Sequence, residues 1–420
     1  MANKRERIVI LGAGFGGFTL AKKLAGSEYD VVLIDRHNFH QFQPLFYQVA
    51  MAGLEPSSIV FPLRKAFQSV KNVTIRVAEI TAIDSEKQEV TTSSETIAYD
   101  HLVIATGAVT NFFKNENFEK NSYSLKTVSE ALAIRNDIFN DLEQAITTKD
   151  YENRQSLIDI AIVGGGPTGV ELAGALAELK KYILPKDYKE LDADEVDIYL
   201  IQGGDRLLIG MSDEAGENAL KFLKSLGVKV MLNTRVVDID GKCLKTKSGE
   251  TIVANKVIWA AGITCEKIPG IPEESLKGRN QIHINEHLEA EGLNNVYAIG
   301  DAAFLQTAKM EYGHPQVAQV AIQMGKHMAK KFKKGKKNGF VYKDKGSMAT
   351  IGRNKAVADL PWMITSGMFA WILWLVVHLA SLIGFKNKLF VLINWMWNYL
   401  TYDQSLRLII KPVNRSKKES

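Results

Sequence analysis

RIVILGAGFGG, residues 7–17, is the stretch that decides the fold of this chain. Its apolar half is typical of a buried strand, and Gly12, Gly14 and Gly17 have the G-x-G-x-x-G spacing. In such a turn the first glycine permits a tight bend, the second lets the backbone approach a pyrophosphate, and the third lets the next helix pack closely on the strand. Asp35 ends a second apolar strand, where a carboxylate can bind a ribose hydroxyl. This order predicts a dinucleotide site; the alternative is a glycine-rich turn in an ordinary βαβ unit.

The same pattern recurs later in the chain. Residues 158–163 predict a strand, and Gly164, Gly166 and Gly169 follow it with the same spacing. Each copy is closed by a matching strand, LVIATG in the first and VIWAAG in the second. Two copies are much more specific than one, so the sequence predicts an α/β protein with two Rossmann-like dinucleotide-binding domains.

The acid position of the second copy is Gln202 rather than Asp or Glu. A carboxylate there would bind the ribose 2′-hydroxyl of NADH and repel the 2′-phosphate of NADPH, whereas glutamine does neither strongly. Arg206, which follows shortly after, either faces such a phosphate or is simply solvated. We therefore expect weakened discrimination between NADH and NADPH.

Two further stretches bear on a cofactor. NVYAIGDAA, residues 295–303, predicts a strand that ends at Gly300, with a helix after Asp301 that starts beside the pyrophosphate. Asp301 can bind hydroxyl groups of an extended cofactor or cap that helix, and the two roles are compatible. Residues 37–56 are rich in His, Gln and aromatic side chains. They either pack on the core or border the ring system of a flavin, and the residues alone leave both open.

Composition and charge narrow the class of protein. With 46% hydrophobic and 24% charged residues, the 420-residue chain is globular, with two or three domains. Its two cysteines, Cys243 and Cys265, cannot build a disulfide framework and suggest a reducing compartment. Residues 326–420 hold 18 Lys and Arg against 4 Asp and Glu. A basic segment beside tryptophans and apolar runs favours an anionic lipid surface over nucleic acid.

The C-terminal segment contains five of the six tryptophans and two apolar runs. The first run, residues 362–385, is long enough to span a bilayer, which takes about 20 residues. The second, residues 389–400, is too short to return, and Lys386 and Lys388 would have to cross with it. The segment therefore predicts two helices that lie in the membrane interface. A spanning helix and a buried helical hairpin that caps a dimer are the alternatives.

The ordered motifs GAGFGG, ATG, GGGPTG and YAIGD resemble those of the flavoproteins with two dinucleotide-binding domains. The resemblance covers about residues 5–335 and implies that the first fold holds FAD and the second holds NAD(P)H, which passes hydride to the flavin. Disulfide reductases and sulfide:quinone oxidoreductases carry redox cysteines by the flavin, and neither Cys243 nor Cys265 matches that arrangement. Small soluble ferredoxin reductases lack an apolar tail of this kind.

What remains resembles the type II NADH dehydrogenases, the single-subunit NADH:quinone oxidoreductases. QPLFYQVA is similar to their loop beside the flavin, AQVAIQ to their quinone-site motif, and residues 371–409 to their membrane-binding end. The resemblance implies that Gln319 and Gln323 contact the quinone, and that Glu171 lies near flavin and quinone and helps to protonate the reduced quinone. Taken alone, the two glutamines, which share a helical face, are more typical of a solvated surface, and Glu171 of a first-turn acid at a helix dipole.

The resulting prediction is a peripheral, monotopic flavoenzyme on the cytoplasmic face of a membrane. It transfers hydride from NADH, and also from NADPH if Gln202 permits, to FAD and then two electrons to a membrane quinone, without pumping protons. Residues 1–112 and 276–345 form the FAD domain, 113–275 the NAD(P)H domain and 346–420 the membrane-associated region. The sequence leaves open whether the protein forms a homodimer. The rivals are an NAD(P)H oxidase, a ferredoxin-type reductase and a membrane-tethered redox sensor.

The sequence predicts no metal site and assigns catalytic roles to Glu171, Gln319 and Gln323. The residues predicted to bind FAD or the nicotinamide cofactor are Gly12, Gly14, Phe15, Gly16, Gly17, Asp35, Arg36, Gln43, Pro44, Leu45, Gln48, Ala105, Thr106, Gly107, Gly164, Gly166, Pro167, Thr168, Gly169, Gln202, Ala261, Gly262, Gly300, Asp301, Gln316, Val317 and Ala318.

Overall fold

The computed structural model describes residues 5–308, 310–335, 338–403 and 406–410. The chain forms two compact units. The first unit contains Met1–Gln41, Val60–Val109 and Ile263–Lys345, and the second contains Phe42–Ile59, Thr110–Gly262 and Gly346–Ser420. These boundaries differ from the predicted four-part organisation, because residues 42–59 and the C-terminal region both group with the second unit.

A five-stranded parallel sheet forms the centre of the first unit. Leu11 pairs with Ile34 on one side and with Ile104 on the other, so Gly12 and Asp35 reach the same carboxyl edge of the sheet. All residues of the central strand except the first are buried, as expected for a parallel strand covered on both faces. The strands are, in order across the sheet, Val296–Ala298, His101–Ile104, Arg7–Leu11, Asp30–Asp35 and Val73–Val77.

Two helices of this unit pack against each other. They are Phe15–Leu24, after the first glycine turn, and Ala318–Lys334, near the C-terminal end of the unit. The prediction of a helix after Asp301 is wrong. Asp301 lies in the single 3₁₀ turn Gly300–Ala302, and the chain then continues into strand Ala303–Phe304, which pairs with another strand.

The other elements of the first unit are short. They are strands Phe39–Gln41, Val60–Pro62, Ile80–Asp84, Glu89–Thr92, Thr96–Ala98, Leu276–Lys277 and Gln281–His283, the helix Leu63–Ala66 and the 3₁₀ helix Glu273–Ser275, with strands Val109–Thr110 and Ile263–Thr264 at the unit boundaries.

The second unit repeats the arrangement with a four-stranded parallel sheet. Val163 pairs with Ile201 and Trp259, so the glycine turn that follows it and Gln202 again share one carboxyl edge. The strands are, in order, Lys229–Met231, Ile198–Ile201, Ile160–Val163 and Lys256–Trp259. The two parallel sheets confirm the predicted fold class.

Helices and a small antiparallel sheet surround this parallel sheet. Helix Val128–Thr147 begins with a capping box between Thr127 and Glu130. The other elements are helices Phe46–Ala50, Glu116–Lys120, Tyr151–Ile158, Pro167–Tyr182, Leu184–Asp187 and Asp213–Ser225, strands Val236–Ile239, Cys243–Thr246 and Thr251–Val253, and the 3₁₀ helices Gln43–Leu45, Pro56–Ser58 and Ala193–Glu195.

The C-terminal region of the second unit is an antiparallel sheet followed by two helices. The sheet strands are Ser347–Gly352, Lys355–Leu360 and Met363–Ser366. We call Met368–Ser381 and Phe385–Thr401 the tail helices. The apolar run at residues 362–385 is therefore divided between a strand and a helix, because Gly367 (φ +79°) turns the chain between them. Within the described residues, the structure contains no helix with the length and apolar character needed to cross a membrane.

Candidate active site

The first glycine turn lies at the carboxyl edge of the first sheet. Gly12 has φ +98°, and a Cβ there would lie 2.4 Å from the carbonyl oxygen of Ala105. A Cβ at Gly17 would lie 1.9 Å from the carbonyl oxygen of Gly12. At Gly14, which precedes helix Phe15–Leu24, a Cβ would meet no atom of the described residues within 4 Å. Close packing therefore requires the first and third glycines, and the second faces open space at a helix N-terminus, which fits a pyrophosphate.

Asp35 is held against this turn by backbone groups. Its carboxylate oxygens accept hydrogen bonds from the N–H groups of Ala13, at 2.6 Å, and His37, at 2.7 Å. The buried ring of His40 lies with Nδ1 2.8 Å from the carbonyl oxygen of Ala13, and burial lowers the pKa of this imidazole. Because each carboxylate oxygen has further acceptor capacity, Asp35 can also bind a ribose hydroxyl.

Several other predicted FAD residues contact the protein itself. Arg36 pairs with Glu266 at 2.7 Å in an exposed ion pair. Gln316 donates from Nε2 to the carbonyl oxygen of Asp301 at 3.0 Å, and the Sγ of Cys265 lies 3.2 Å from the same oxygen. Side chains from distant parts of the sequence thus fix the backbone at Asp301, and the role of its carboxylate toward a cofactor stays a prediction.

The first unit contains most of the predicted FAD residues, namely Gly12, Gly14, Phe15, Gly16, Gly17, Asp35, Arg36, Ala105, Thr106, Gly107, Gly300, Asp301, Gln316, Val317 and Ala318. The second unit contains Gln43, Pro44, Leu45 and Gln48 together with Gly164, Gly166, Pro167, Thr168, Gly169, Gln202, Ala261 and Gly262.

The second glycine turn has the same geometry as the first. Gly164 has φ +118°, and a Cβ there would lie 2.6 Å from the backbone of Ala260. A Cβ at Gly169 would lie 1.9 Å from the carbonyl oxygen of Gly164, whereas one at Gly166 would meet no described atom within 4 Å. Pro167 opens the helix, where an N–H has no helical partner. This turn also fits a pyrophosphate.

Gln202 takes the structural place of Asp35 at this turn. Its Oε1 accepts a hydrogen bond from the N–H of Gly165 at 2.9 Å, and its Nε2 donates to the carbonyl oxygen of Arg206 at 3.3 Å. The Arg206 guanidinium is bound by its own loop. It donates to the carbonyl oxygens of Ile209 and Met211, each at 3.0 Å, and lies 3.1 Å from the Asp213 carboxylate. Neither expected role of Arg206 describes these contacts, and the role of Gln202 toward a ribose stays a prediction.

Gln319 and Gln323 bind the segment that follows their helix. Gln323 exchanges two hydrogen bonds with the backbone of Lys343, at 2.8 and 3.0 Å. Gln319 accepts from the N–H of Lys345 at 3.1 Å and lies 3.5 Å from the Asp344 carboxylate. These contacts explain both amides as local supports, and their role toward a quinone stays a prediction.

A cavity of about 480 Å³ lies in the second unit between helix Pro167–Tyr182 and the tail helices. Most of its walls are apolar, with side chains such as Leu375, Leu379 and Leu392. Its polar lining residues are Tyr47, Gln48, Glu171, Glu178, Thr350, Arg353, Trp371, Trp374, Trp395, Asn398 and Tyr399. A mostly apolar cavity with few polar groups is typical of a site for an apolar small molecule.

Glu171 lines this cavity and is 9% exposed. Burial raises the pKa of its carboxyl to about 8, against smaller opposing effects of the Thr350 N–H, 3.4 Å away, and of Trp374. The carboxyl is therefore neutral at pH 7 and carries a proton that it can donate. Glu178 lies two turns further along the same helix, and burial also raises its pKa.

Within residues 37–56, the structure shows the first of the two alternatives, packing on the core. The aromatic side chains of Phe42, Phe46 and Tyr47 are buried in the core. Gln48 lines the cavity, where it donates to the Tyr47 hydroxyl at 2.7 Å and accepts from the indole of Trp395 at 2.8 Å. Whether this loop also borders a flavin stays a prediction.

The sequence did not single out Tyr47, Glu178 or Trp374. Glu178 had a usable signal, since a residue seven positions after Glu171 lies on the same face of a helix. Trp374 was grouped with interfacial tryptophans, but it is 1% exposed, whereas Trp362 is 74% exposed. Among the described residues, no group of His, Cys, Asp and Glu side chains could hold a metal ion.

Residues 6–325 match the protein family described as pyridine nucleotide-disulphide oxidoreductase, and residues 345–402 match the NDH2 C-terminal domain. A relative from Mycobacterium tuberculosis, named Type II NADH:quinone oxidoreductase Ndh, is 35% identical over 95% of this chain and 89% of its own length. The chain belongs to the type II NADH:quinone oxidoreductase family. External NADH-ubiquinone oxidoreductase 2 of Saccharomyces cerevisiae is 30% identical over 93% of this chain and 80% of its own length.

Solved structures agree with this family in fold. The structure of NDH2 from Plasmodium falciparum in complex with NADH has a TM-score of 0.88 at 22% identity and covers 97% of this chain and 100% of its own. The sulfide:quinone oxidoreductase of Aquifex aeolicus has a TM-score of 0.69 at 17% identity, over 97% and 96% of the two chains. Membership of the type II NADH:quinone oxidoreductases confirms the predicted family and enzyme class.

Proposed function

We propose that this chain is an NADH:quinone oxidoreductase that moves two electrons from NADH through FAD to a quinone. The observation that carries the proposal is a mostly apolar cavity that contains a neutral, buried carboxyl, in a chain with two nucleotide-binding turns. FAD, when bound, supplies a two-electron acceptor for hydride that can pass its electrons on to a quinone. The protein has to hold the nucleotides, exclude water and deliver protons.

Each nucleotide has a turn that suits it. In the first unit, Gly12, Gly14, Gly17 and Asp35 are proposed to hold the FAD pyrophosphate and ribose, with Thr106 and Asp301 at the same cofactor. The list of nicotinamide-binding residues is Gly164, Gly166, Pro167, Thr168, Gly169, Gln202, Ala261 and Gly262. Because the Gln202 amide carries no charge, NADPH is expected to remain a usable, though poorer, substrate.

Quinone reduction needs protons at the quinone oxygens. Glu171 is proposed to donate one, since its pKa of about 8 keeps it protonated at neutral pH inside an apolar cavity. Gln319 and Gln323 are proposed to act near the quinone, as the family motif AQVAIQ implies.

The tail helices are proposed to bind an anionic lipid surface on the cytoplasmic face of a membrane. Large apolar side chains are exposed on them, including Phe369 at 58%, Phe385 at 82% and Leu400 at 75%. Lys386 and Lys388 lie at the start of the second tail helix, where they can meet lipid headgroups. The same apolar surface would also suit a homodimer. We propose no proton pumping; acidification of inside-out proteoliposomes by this protein alone would contradict it.

The test is steady-state NADH oxidation by FAD-loaded protein with a water-soluble quinone analogue, compared with oxygen alone. The proposal predicts strong stimulation by the quinone. No stimulation, with continued oxygen consumption, would identify an NAD(P)H oxidase. No turnover with either acceptor would favour a redox sensor, and turnover only with added ferredoxin would favour a ferredoxin-type reductase.

A further inference from the structure

The indole of Trp374 is a buried hydrogen-bond donor at the cavity that forms no hydrogen bond of normal geometry with the described residues. Trp374 is 1% exposed and lines the cavity, and among the described residues its Nε1 has no hydrogen-bond partner. Buried donors are usually paired, because an unpaired one loses its bond to water without replacement. An unpaired donor at the wall of a cavity therefore points to a ligand that supplies an acceptor.

Neighbouring rings hold this indole in place. His378 stacks on it with ring centroids 4.0 Å apart and planes 23° apart, and Tyr47 and Trp395 lie at centroid distances of 6.4 and 5.8 Å. Burial lowers the pKa of His378 to about 4, so this ring is neutral at pH 7. Its Nδ1 lies 2.8 Å from the Trp374 carbonyl oxygen and must carry the hydrogen, since a carbonyl only accepts. The donor is thus preorganised.

Three other side-chain donors at the cavity, those of Trp395, Gln48 and Asn398, are already bonded to protein acceptors. Trp395 donates to Gln48, and Gln48 donates to the Tyr47 hydroxyl. Asn398 donates from its side chain to the Gly53 carbonyl oxygen at 3.2 Å. Unlike these three donors, the Trp374 N–H is available to a ligand.

The indole also faces the Glu171 carboxyl. Trp374 lowers the pKa of that carboxyl, which requires the N–H to lie near it, although the pair forms no hydrogen bond of normal geometry. A quinone presents two carbonyl oxygens that accept hydrogen bonds and donate none. A carbonyl oxygen placed between the two side chains would receive the indole N–H and the acidic proton together.

We propose that Trp374 is the positioning residue for the quinone, whose indole N–H binds the carbonyl oxygen that Glu171 protonates. In this step the Glu171 O–H bond breaks and a quinone O–H bond forms. Reduced flavin, when present, would supply the two electrons and the second proton, which came with the hydride of NADH, and one proton from the solvent would reload Glu171. The inference rests on the proposed function and adds a residue to it.

Trp374→Phe keeps an aromatic ring and removes the N–H. We expect the KM for a water-soluble quinone analogue to rise about tenfold, the effect of one lost hydrogen bond, with the KM for NADH and the rate of ferricyanide reduction unchanged. Trp374→His, which restores a ring N–H, should recover part of the affinity. Trp362→Phe, at an exposed position outside the cavity, is the matched control.

The pH profile separates this role from simple packing. Because Trp374 lowers the pKa of Glu171, its removal should move the alkaline limb of kcat to higher pH. The other groups that face this pair are Tyr47 from helix Phe46–Ala50, the Thr350 N–H from the C-terminal sheet, His378 from the first tail helix and Glu178 from the same helix as Glu171, which in turn faces Arg353 and Lys355. None of these is changed by the substitution.

Three results would be decisive. If the wild-type protein had no quinone reductase activity, the proposed function itself would be contradicted. Active wild-type protein and a Trp374→Phe variant with unchanged quinone KM and pH profile would remove only the role of Trp374. If the variants fail to hold FAD, indole ¹⁵N NMR of wild-type protein decides: one buried indole N–H signal should move on adding the quinone analogue, and no movement would overturn the inference.

Discussion

Replacing Glu171 with Gln removes the titrating proton from the cavity and leaves its shape nearly unchanged. The carboxyl has a pKa of about 8 against an ordinary value of 4.5, chiefly because it is buried. At 1.36 kcal/mol per pKa unit, this shift is roughly 5 kcal/mol of preference for the neutral form. The wild-type carboxyl is therefore about nine-tenths protonated at pH 7 and about one-tenth protonated at pH 9.

The assay is kcat for a water-soluble quinone analogue between about pH 6 and pH 10, with saturating NADH. For an acid with a raised pKa, the proton is present below pH 8 and is lost as the pH rises through that value. Wild-type kcat should fall about tenfold between pH 7 and pH 9, and Glu171→Gln should give a kcat lower by about 10²-fold or more with no alkaline limb.

The matched control is Glu217→Gln, the same change at an exposed position of helix Asp213–Ser225. It should keep the wild-type kcat and pH profile. NADH:ferricyanide activity reports whether each variant still holds FAD. A Glu171→Gln enzyme with wild-type kcat and the same alkaline limb would refute the reasoning, because another group would then supply the proton.

Further substitutions test the nucleotide sites. Gly17→Ala places a Cβ 1.9 Å from the Gly12 carbonyl oxygen and should abolish FAD binding, which is measured by the flavin absorbance of the purified protein. Gly169→Ala places a Cβ at the same distance from the Gly164 carbonyl oxygen. It should leave FAD bound and raise the KM for NADH by at least tenfold. If both variants lost FAD equally, the assignment of the two turns would be wrong. Gln202→Glu keeps the oxygen that accepts from the Gly165 N–H and adds a negative charge, so kcat/KM for NADPH should fall by at least tenfold relative to that for NADH. An unchanged ratio would contradict the role of Gln202. A wild-type preference for NADH beyond about a thousandfold would contradict it as well.

The nucleotide-binding turns could be predicted because their sequence requirement is local and steric. A Cβ at Gly17 would meet the Gly12 carbonyl oxygen within the same βαβ unit, so the spacing alone indicates that requirement. Gly12 has a positive φ, which a tight turn also indicates, although the backbone that a Cβ there would meet belongs to Ala105. The structural correspondence between Asp35 and Gln202 could also be predicted, since each lies where the second strand of its glycine motif ends. In the structure, each side chain accepts a hydrogen bond from the N–H of the residue after the first glycine.

The cavity could not be predicted, because its residues come from parts of the chain that are far apart in sequence. Glu171 was named from family resemblance, but its raised pKa depends on burial beneath a strand that follows 179 residues later. Composition cannot tell which tryptophans of an apolar tail turn inward: Trp374 is buried under His378, and Trp397, on the second tail helix, is 55% exposed. That distinction depends on tertiary packing.

The central claim is that electrons pass from NADH through bound FAD to a quinone, and anaerobic stopped-flow spectroscopy of the FAD-loaded protein tests it most directly. Mixing with NADH should bleach the visible flavin absorbance, and a second mixing with a quinone analogue should restore it at a rate no slower than steady-state kcat. Bleaching that quinone fails to reverse, or reverses more slowly than turnover, would contradict the account.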